Sequence, residues 1–428
     1  MTRSVYGLLL GILFPWLLLD SLRRFWRAPA PHRCGLAQFG RLPANLPTEA
    51  IWLHAVSLGE VRAASSLVAA LRSRWPEIPI VISTTTETGA GAARALGVPH
   101  FYAPFDYAFA IRRVMRRLRP RLLLVMETEL WPNLLATLAD HSVPVIIVNA
   151  RLSPKSFSRY RRWGGALLAQ TLARISLICA QSAEDAARFL ALSTPGSVEV
   201  RDCGNLKYDH HPEAVSSWQK PPHRPVWLAA STHPGEEAIV LAAHRQLLAL
   251  KPDALLVLVP RHPERAPSVL IQARSAGFSA ESGGLDQPPD AVSVWIIGQT
   301  GVLMPLFAGI ETIFMGGSLA GNRGGHNPIE PGVLRRAVIS GRGVQNFSVV
   351  YAGLDAADAV VWVEDATTLA AAVQASWSAP ESARMRGDRA YAVVSAQRGA
   401  TAKIVQQIEK WLPAVENSPV NPPSKESC

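Results

Sequence analysis

The 428-residue sequence has few cysteines, a low proportion of charged side chains and neither of the common nucleotide-binding fingerprints. Its four cysteines show no C-x-x-C or metal-like spacing, which indicates thiols in a reducing compartment and argues against a disulfide framework or a zinc site. Charged residues make up 18% and hydrophobic residues 48% of the chain, a composition that excludes a disordered protein. Because no G-x-G-x-x-G or G-x-x-x-x-G-K-[ST] segment is present, the sequence argues against a dinucleotide site and a P-loop.

The charge is unbalanced toward basic residues, with 43 Lys and Arg against 33 Asp and Glu, a formal net charge of +10. This excess indicates a phosphate-bearing partner, an anionic membrane surface, or both. One run of arginines would place several charges on one helix face, which suits either a solvated face or anionic lipids. We predict no nucleic-acid partner, because this run lacks interleaved aromatic residues and a recognition motif. The run comprises Arg112, Arg113, Arg116, Arg117, Arg119 and Arg121.

An apolar segment runs from Val5 to Leu19 and ends at Asp20. Its 15 residues are fewer than the roughly 20 that span a bilayer comfortably. No small-residue cleavage site follows it, which argues against a signal peptide. We therefore predict a membrane anchor over residues 1–30 that either spans marginally or dips into the membrane. The aromatic and basic residues expected at the interface, with the arginines on the cytoplasmic side, are Trp16, Arg23, Arg24, Trp26 and Arg27.

From Ile51 onward, short apolar runs alternate with helical patterns, as expected for a parallel sheet covered on both faces. The alternation stops in a polar, proline-rich stretch and restarts at Val226. We predict α/β domains at 35–208 and 226–412, a linker at 209–225 and a disordered tail at 413–428. Ligands of such sheets bind beyond the carboxyl ends of the strands, so we expect the site residues in the turns that follow strands, facing a crevice between the domains.

A glycine-rich stretch from Gly316 to Pro331 follows the apolar run Ile310 to Met315. Asn327 suits a helix N-cap, Pro328 the first helical position and Glu330 the third. Backbone N–H groups of such a loop and helix start can bind phosphate. A tight, capped turn between strand and helix explains the same pattern equally well.

Carboxylates follow two predicted strands of the first domain. Glu60 closes the segment Ser57-Leu-Gly-Glu60, which fits a general base and a capping box equally well. Glu127 and Glu129 come directly after a buried strand, where charges are costly unless they are paired or functional. Lys207 precedes the linker and could pair with one of them or bind an anion; a plain surface lysine is the alternative.

In the second domain Arg261 follows a strand, in Val259-Pro-Arg-His-Pro-Glu-Arg265. If it faces the glycine-rich stretch, its guanidinium would complete a phosphate site by bidentate contact.

Five motifs, in this order, resemble those of the 3-deoxy-D-manno-octulosonic acid (Kdo) transferases, inverting glycosyltransferases of the GT-B fold. The resemblance extends from the N-terminal segment to about Phe347. It implies two Rossmann-like domains that face a central crevice, CMP-Kdo as donor and a lipid A precursor, the tetra-acylated disaccharide 1,4′-bisphosphate, as acceptor. It also places the chain at the cytoplasmic face of the cell inner membrane. The motifs are His54-Ala-Val-Ser-Leu-Gly-Glu60, Glu127-Thr-Glu-Leu-Trp-Pro-Asn133, Gly204-Asn-Leu-Lys-Tyr-Asp209, Pro260-Arg-His-Pro-Glu-Arg265 and Gly324-Gly-His-Asn-Pro-Ile-Glu330.

The resemblance also implies roles for individual residues. Glu60 would deprotonate the acceptor hydroxyl, and Glu129 and Lys207 would support the transition state. The resemblance implies no metal and no cofactor, so arginine and helix dipole would bind the nucleotide phosphate. The residues implied to bind CMP are Pro260, Arg261, Thr300, Gly301, Val302, Asn327, Pro328, Ile329 and Glu330.

One departure from the family pattern concerns the donor side. The family's Asp-Thr-Met-Gly-Glu-Leu reads Gly298-Gln-Thr-Gly-Val-Leu303 here, so Val302 stands where a glutamate is expected. Ser318 to His326 is also one residue longer than the usual form. This departure leaves open a GT-B transferase with another nucleotide sugar. A membrane-attached binding protein that has lost catalysis is the alternative from a different class.

Overall fold

The computed structural model describes residues 2–27, 37–209, 216–321 and 323–412. It divides into two compact units: unit 1 comprises Met1–His210 and Arg398–Cys428, and unit 2 comprises His211–Gln397. The predicted tail at 413–428, and 28–30 and 210–215 of the predicted anchor and linker, lie outside the described residues.

Unit 1 is built on a sheet of seven strands that pair in parallel throughout. The strands are β1 (Ile51–His54), β2 (Ile80–Thr84), β3 (His100–Tyr102), β4 (Leu122–Met126), β5 (Val145–Ala150), β6 (Leu177–Ala180) and β7 (Glu199–Asp202). Their order in the sheet is β3-β2-β1-β4-β5-β6-β7. The helices are α1 (Arg3–Arg27), α2 (Leu58–Ala63), α3 (Ser65–Arg74), α4 (Glu87–Ala95), α5 (Ala108–Leu118), α6 (Pro132–Asp140), α7 (Pro154–Trp163), α8 (Gly165–Leu172) and α9 (Ala183–Leu192).

The central strands of unit 1 are buried along their whole length. Every residue of β1, β2, β4 and β5 is buried, and alternate residues of each strand join hydrophobic clusters on opposite faces of the sheet. The uninterrupted apolar runs in the sequence therefore predicted these strands correctly. The sequence pattern from Glu60 to Trp75 is typical of one helix, but the structure has two helices here, which meet at Ala64. Cys179 and Cys203 are buried free thiols, whereas Cys34 and Cys428 lie outside the described residues.

Unit 2 repeats this architecture with a second sheet of seven parallel strands. The strands are β8 (Val226–Thr232), β9 (Leu255–Pro260), β10 (Ala280–Gly283), β11 (Val294–Ile297), β12 (Ile313–Met315), β13 (Val338–Ser340) and β14 (Val360–Trp362). Their order is β10-β11-β9-β8-β12-β13-β14. The helices are α10 (Glu236–Leu250), α11 (Ala266–Ser275), α12 (Leu303–Gly309), α13 (Ile329–Val333), α14 (Ser348–Ala356), α15 (Ala366–Ser378) and α16 (Pro380–Ala396).

The chain ends its described part in α17 (Ala400–Ile408), which belongs to unit 1. The Asp209 carboxylate accepts hydrogen bonds from the N–H groups of Gly399 and Thr401, and Ile404 and Ile408 join the core of unit 1. The predicted domain at 226–412 therefore differs from unit 2, which ends at Gln397. The sequence pattern from Ser395 to Trp411 is typical of one helix, but the helix is interrupted before α17, because Gly399 has a left-handed φ of 108°.

The helix α1 packs on unit 1 through one face. Tyr6 Oη donates to Asp106 Oδ2 at 2.9 Å, and Tyr107 Oη donates to the Leu10 carbonyl at 2.7 Å. The Phe14 ring lies 5.4 Å from that of Tyr107. Among the described helices, α1 alone is long and apolar enough to cross a membrane. Its other face exposes 47–68% of Val5, Leu8, Leu9, Ile12, Leu13, Trp16 and Leu19.

Each sheet has a point at which successive strands begin to be added on the opposite side. This point lies between β1 and β4 in unit 1 and between β8 and β12 in unit 2. The loops after two such strands diverge and leave a crevice at their carboxyl ends, where ligands of open α/β sheets bind. The loops that carry Glu60 and Glu127–Glu129 in unit 1, and the glycine-rich stretch in unit 2, follow these strands.

Candidate active site

Glu60 lies in the first turn of α2, just after β1, and is 8% exposed. Its Oε2 accepts a hydrogen bond from the Val56 N–H at 2.8 Å and its Oε1 accepts one from Ser57 Oγ at 3.0 Å. Burial raises the pKa of Glu60 to about 7, and the charges of Glu127 and Glu129 add to the rise, while these two hydrogen bonds oppose it. A carboxyl group with a pKa near neutrality is suited to take a proton and to release it.

The capping interpretation of Glu60 is fulfilled only in part. Ser57 is the N-cap of α2 and its side chain accepts from the Glu60 N–H. In a capping box the Glu60 carboxylate would bond back to the Ser57 N–H, but here it bonds to the N–H of Val56, one residue earlier. The carboxylate is therefore held by the loop after β1.

Two further carboxylates and a lysine lie at the end of β4. Glu127 has a left-handed φ of 55°, a conformation uncommon outside glycine and enriched at functional sites. Its Oε1 lies 3.4 Å from Lys207 Nζ, so the lysine pairs with this carboxylate and not with Glu129. Glu129 Oε2 accepts from Trp131 Nε1 at 2.8 Å. Burial raises the pKa of Glu129, and the charge of Glu127 raises it further.

Lys207 is placed by a short 3-10 turn over Leu206–Asp209. The Leu206 N–H donates to Asn149 Oδ1 of β5 at 2.9 Å, and the Asp209 carboxylate holds the start of α17. The turn is thus fixed at both ends, which explains how a lysine next to the predicted linker has a defined partner.

His54 and Asp106 both contact the segment that follows Glu129. His54 is buried and its Nδ1 lies 2.9 Å from Ser83 Oγ, while its Nε2 has no hydrogen-bond partner among the described residues. Burial lowers the pKa of His54 to about 4, so the ring is neutral, and it lies edge-on to Trp131 at 4.8 Å. The Asp106 carboxylate accepts from the N–H groups of Asn133 and Leu134, and so caps α6 directly after the Glu129 loop.

In unit 2, the carboxylate of Glu236 occupies the glycine-rich loop. Glu236 is 0% exposed, and its Oε1 accepts from the N–H groups of Ser318 and Leu319, both at 2.9 Å. Its Oε2 accepts from the N–H of Gly317 at 2.7 Å and from that of His233 at 3.0 Å. The N–H groups of Gly317, Ser318 and Leu319 are therefore taken by a carboxylate of the chain itself and are not free to bind phosphate.

The helix after this loop also begins later than predicted. The N-cap position is Pro328, and α13 spans only Ile329–Val333. Asn327 Oδ1 accepts from the Ile329 N–H at 3.1 Å, and Asn327 Nδ2 donates to Glu330 Oε1 at 3.4 Å. Asn327 and Glu330 therefore bond side chain to side chain. The Ile329 side chain is 1% exposed, so it packs into the core.

Three histidines from three loops meet beside the Glu236 carboxylate. The Nε2 atoms of His233 and His326 lie 2.9 Å apart and their rings stack at 5.1 Å with an interplanar angle of 2°. His262 lies edge-on to His233, with ring centroids 5.8 Å apart. Burial lowers the pKa of His326 to about 4 and also lowers that of His233, and the positive charge of Arg261 contributes to both. The described residues include no group of three or more His, Cys, Asp or Glu side chains arranged to hold a metal ion.

The remaining predicted donor-side residues lie on neighbouring loops of unit 2. Pro260 ends β9, and the Arg261 N–H donates to the Thr232 carbonyl at 3.0 Å. The Arg261 side chain is exposed. Thr300 and Gly301 are exposed, whereas Val302 is 5% exposed at the start of α12. An apolar side chain at this position is thus packed inside the protein.

Sequence reasoning missed Glu236, Asp106 and the pairing of His233 with His326. Glu236 had a signal, since it follows β8 within Ser231-Thr-His-Pro-Gly-Glu236, but its partners Gly317 to Leu319 lie more than 80 residues away. The histidine pair joins residues 93 positions apart. Such contacts follow from the order of strands in the sheet, which a single sequence does not specify.

The two all-parallel sheets with their covering helices define the GT-B class of glycosyltransferase folds. A glycosyltransferase structure from Rickettsia africae matches 86% of this chain and 100% of its own chain, with a TM-score of 0.57 at 14% identity. At this identity the likeness shows the fold, which confirms the predicted architecture of two Rossmann-like domains with an N-terminal apolar helix.

Relatives of known activity identify the family. The profile described as 3-Deoxy-D-manno-octulosonic-acid transferase (kdotransferase) matches residues 31–210. The 3-deoxy-D-manno-octulosonic acid transferase of Haemophilus influenzae is 37% identical over 381 residues, which cover 86% of this chain and 88% of the relative. That of Bordetella pertussis is 36% identical over 440 residues, with 96% and 100% covered. The chain belongs to the 3-deoxy-D-manno-octulosonic acid transferase family, and it is a glycosyltransferase that transfers Kdo.

Proposed function

We propose that this enzyme transfers Kdo from CMP-Kdo to the lipid A precursor, the tetra-acylated disaccharide 1,4′-bisphosphate, with inversion at the anomeric carbon and Glu60 as general base. The observation that carries this proposal is the carboxyl group of Glu60, buried after β1 at the point where the strand order of unit 1 reverses. Inversion needs one base and no covalent intermediate, and Glu60 has a pKa of about 7.

Glu60 takes the proton of the acceptor hydroxyl as the hydroxyl oxygen bonds to the anomeric carbon of Kdo. The two hydrogen bonds from Val56 and Ser57 fix the carboxylate, so no reorganisation of the base is needed during the reaction. Glu127 and Glu129 raise the proton affinity of Glu60 through their charges.

Glu129 and Lys207 support the transition state from the end of β4. In the acceptor-binding domain proposed for unit 1, the Lys207–Glu127 pair holds a positive charge beside the carboxylates, and Trp131 fixes Glu129. The Lys207 side chain is 24% exposed, which leaves it accessible to a substrate oxygen.

Unit 2 binds the nucleotide. Arg261 follows β9, and Asn327 and Glu330 come after β12, so all three follow the carboxyl ends of strands in the same parallel sheet. The Arg261 side chain is exposed. Arg261 provides the bidentate phosphate contact, and Pro260 and Thr300 to Val302 complete the donor site together with Asn327 to Glu330. Because Val302 is buried, we expect only its backbone to contribute.

The enzyme binds the cytoplasmic face of the inner membrane through α1 and anionic lipids. One face of α1 is occupied by Tyr6, Leu10 and Phe14, which contact unit 1, and the opposite face is apolar and exposed. This division of faces favours a helix that lies in the membrane surface over one that crosses it. The side chains of Arg24, Trp26 and Arg27, predicted at the interface, lie outside those described.

Two experiments test these assignments. Purified, detergent-solubilised enzyme is supplied with CMP-Kdo and the lipid A precursor, and the Kdo-lipid product is measured by mass spectrometry. Glu60→Gln should lower kcat roughly 10²- to 10⁴-fold. The exposed Glu77, at the opposite end of the sheet in unit 1, serves as control, and Glu77→Gln should keep full activity. Equal rates for Glu60→Gln and the control would exclude Glu60 as the base.

The second experiment concerns α1. Thr2→Cys is exposed just ahead of α1, and a membrane-impermeant thiol reagent is added to sealed vesicles whose cytoplasmic side faces outward. If α1 lies in the membrane surface, the reagent should label Thr2→Cys as readily as it labels the control Glu77→Cys, which is on the body of unit 1. Protection of Thr2→Cys until the vesicles are opened would show instead that α1 spans the bilayer.

A further inference from the structure

The hydrogen bond between His233 and His326 limits the number of protons that the two rings can carry. Two imidazole Nε2 atoms at 2.9 Å share one hydrogen, so one ring donates and the other accepts. In the neutral pair, the accepting ring carries its own hydrogen on Nδ1, and the donating ring has a free Nδ1 lone pair. The pair therefore has room for one more proton, at that Nδ1. A second proton would set two Nε2–H groups against each other at this distance.

The surroundings of the pair are positively charged. The positive charges of Arg261 and Arg323 act on His233, and that of Arg261 also acts on His326. Among the described residues, the carboxylate whose charge acts on His233 is that of Glu236, and four backbone N–H groups already neutralise much of that charge. In the absence of a ligand these cations oppose uptake of the extra proton.

The pair also packs against the glycine-rich loop, next in sequence to residues that we assign to the donor site. The His233 N–H is bonded to Glu236, and a Cβ added to Gly317 would lie 3.0–3.1 Å from the His326 ring. Arg261 and Asn327, which we assign to the donor site, are the chain neighbours of His262 and His326. An anion placed there would reverse the local balance of charge and favour a protonated pair.

We propose that the His233–His326 pair is a proton-accepting phosphate subsite, which takes up one proton as the nucleotide phosphate reaches its dianionic state. The proposal rests on the proposed CMP-Kdo donor. The phosphate of CMP-Kdo is a diester with one negative charge. When the bond between the sugar and the phosphate oxygen breaks, its electron pair remains on that oxygen and the phosphate carries two charges.

The proton that the pair takes up comes from solvent and returns there when CMP leaves, while the acceptor proton goes to Glu60. The subsite thus binds the departing CMP more strongly than the donor from which it forms. Binding that strengthens as charge develops lowers the barrier to the transfer, whereas binding both states equally would not. His233 and His326 are accordingly assigned as residues that stabilise the leaving group.

The test is calorimetry of full-length enzyme with CMP at pH 7, where the phosphate of CMP is itself about nine-tenths ionised because its second pKa is about 6. Titrations in two buffers of different ionisation enthalpy give the number of protons taken up. We expect wild-type enzyme to show a net uptake of protons with CMP, and far less with the methyl diester of CMP or with cytidine. His326→Gln should lose this uptake and weaken CMP binding roughly tenfold.

His223→Gln is the matched control, because His223 is an exposed histidine of the same unit outside the cluster. His233→Gln provides a second variant if His326→Gln fails to fold, and the wild-type uptake needs no variant. CMP binding without proton uptake, or uptake that persists in both variants, would overturn the inference and leave the donor assignment intact. No CMP binding to folded wild-type enzyme would refute the proposed donor, and the inference with it.

Discussion

The buried Glu236 carboxylate accepts hydrogen bonds from four backbone N–H groups, and replacing it should destabilise unit 2 strongly. Glu236→Gln retains the shape of the side chain but leaves one acceptor oxygen for four N–H groups, since the amide nitrogen is itself a donor. Two charge-assisted hydrogen bonds are lost, each of which contributes roughly 1.5–3 kcal/mol. We therefore expect the free energy of unfolding to fall by about 3–6 kcal/mol.

The assay is thermal unfolding followed by circular dichroism and by calorimetry, which resolves the two units if they melt separately. For a unit of this size each kcal/mol corresponds to about 2–4 °C, so Tm should fall by at least about 6 °C. Glu281→Gln, at an exposed position of β10, is the control and should change Tm by less than about 1 °C. A Tm for Glu236→Gln equal to that of the control would refute the account of the glycine-rich loop.

Three further predictions concern contacts in unit 1. Because Glu60 acts as base only when deprotonated and its pKa is about 7, kcat/KM should rise with pH through about 7; a rate independent of pH between 5 and 8 would contradict this. Glu127→Gln removes a charge that raises the pKa of Glu60, so the midpoint of the pH–rate profile should move to lower pH. An unchanged midpoint would show that the charge of Glu127 does not act on Glu60. Tyr6→Phe removes the hydrogen bond from α1 to Asp106, whose carboxylate caps α6. This variant should have a lower kcat in detergent and unchanged binding to vesicles. Weaker vesicle binding with an unchanged kcat would show that Tyr6 serves only to anchor the enzyme.

The strands could be predicted from the sequence because they are buried on both faces. Runs such as Leu122–Met126 and Leu255–Pro260 have no polar alternation that could be mistaken for a helix period, and their parallel arrangement follows from the helices between them. The positions of Glu60, Glu129, Lys207 and Arg261 after strands or before the linker then followed from general rules for open α/β sheets.

The chemistry inside the loops could not be read in the same way. A glycine-rich loop with free N–H groups and one that binds an internal carboxylate have the same local sequence, and only the position of Glu236 distinguishes them. The short α13 likewise begins at Ile329, and the Asn327 side chain bonds to both the Ile329 N–H and Glu330, a choice among local hydrogen bonds that the sequence leaves open. The mode of attachment of α1 depends on Asp106 and Tyr107, about 100 residues away in sequence.

The most direct test of the central claim is the product formed from CMP-Kdo and the tetra-acylated disaccharide 1,4′-bisphosphate, with its anomeric configuration determined by NMR. The account predicts that wild-type enzyme forms a Kdo-lipid of inverted configuration and that Glu60→Gln, although folded and able to bind CMP, forms it roughly 10²- to 10⁴-fold more slowly. Retention of configuration, or full activity of Glu60→Gln, would contradict it.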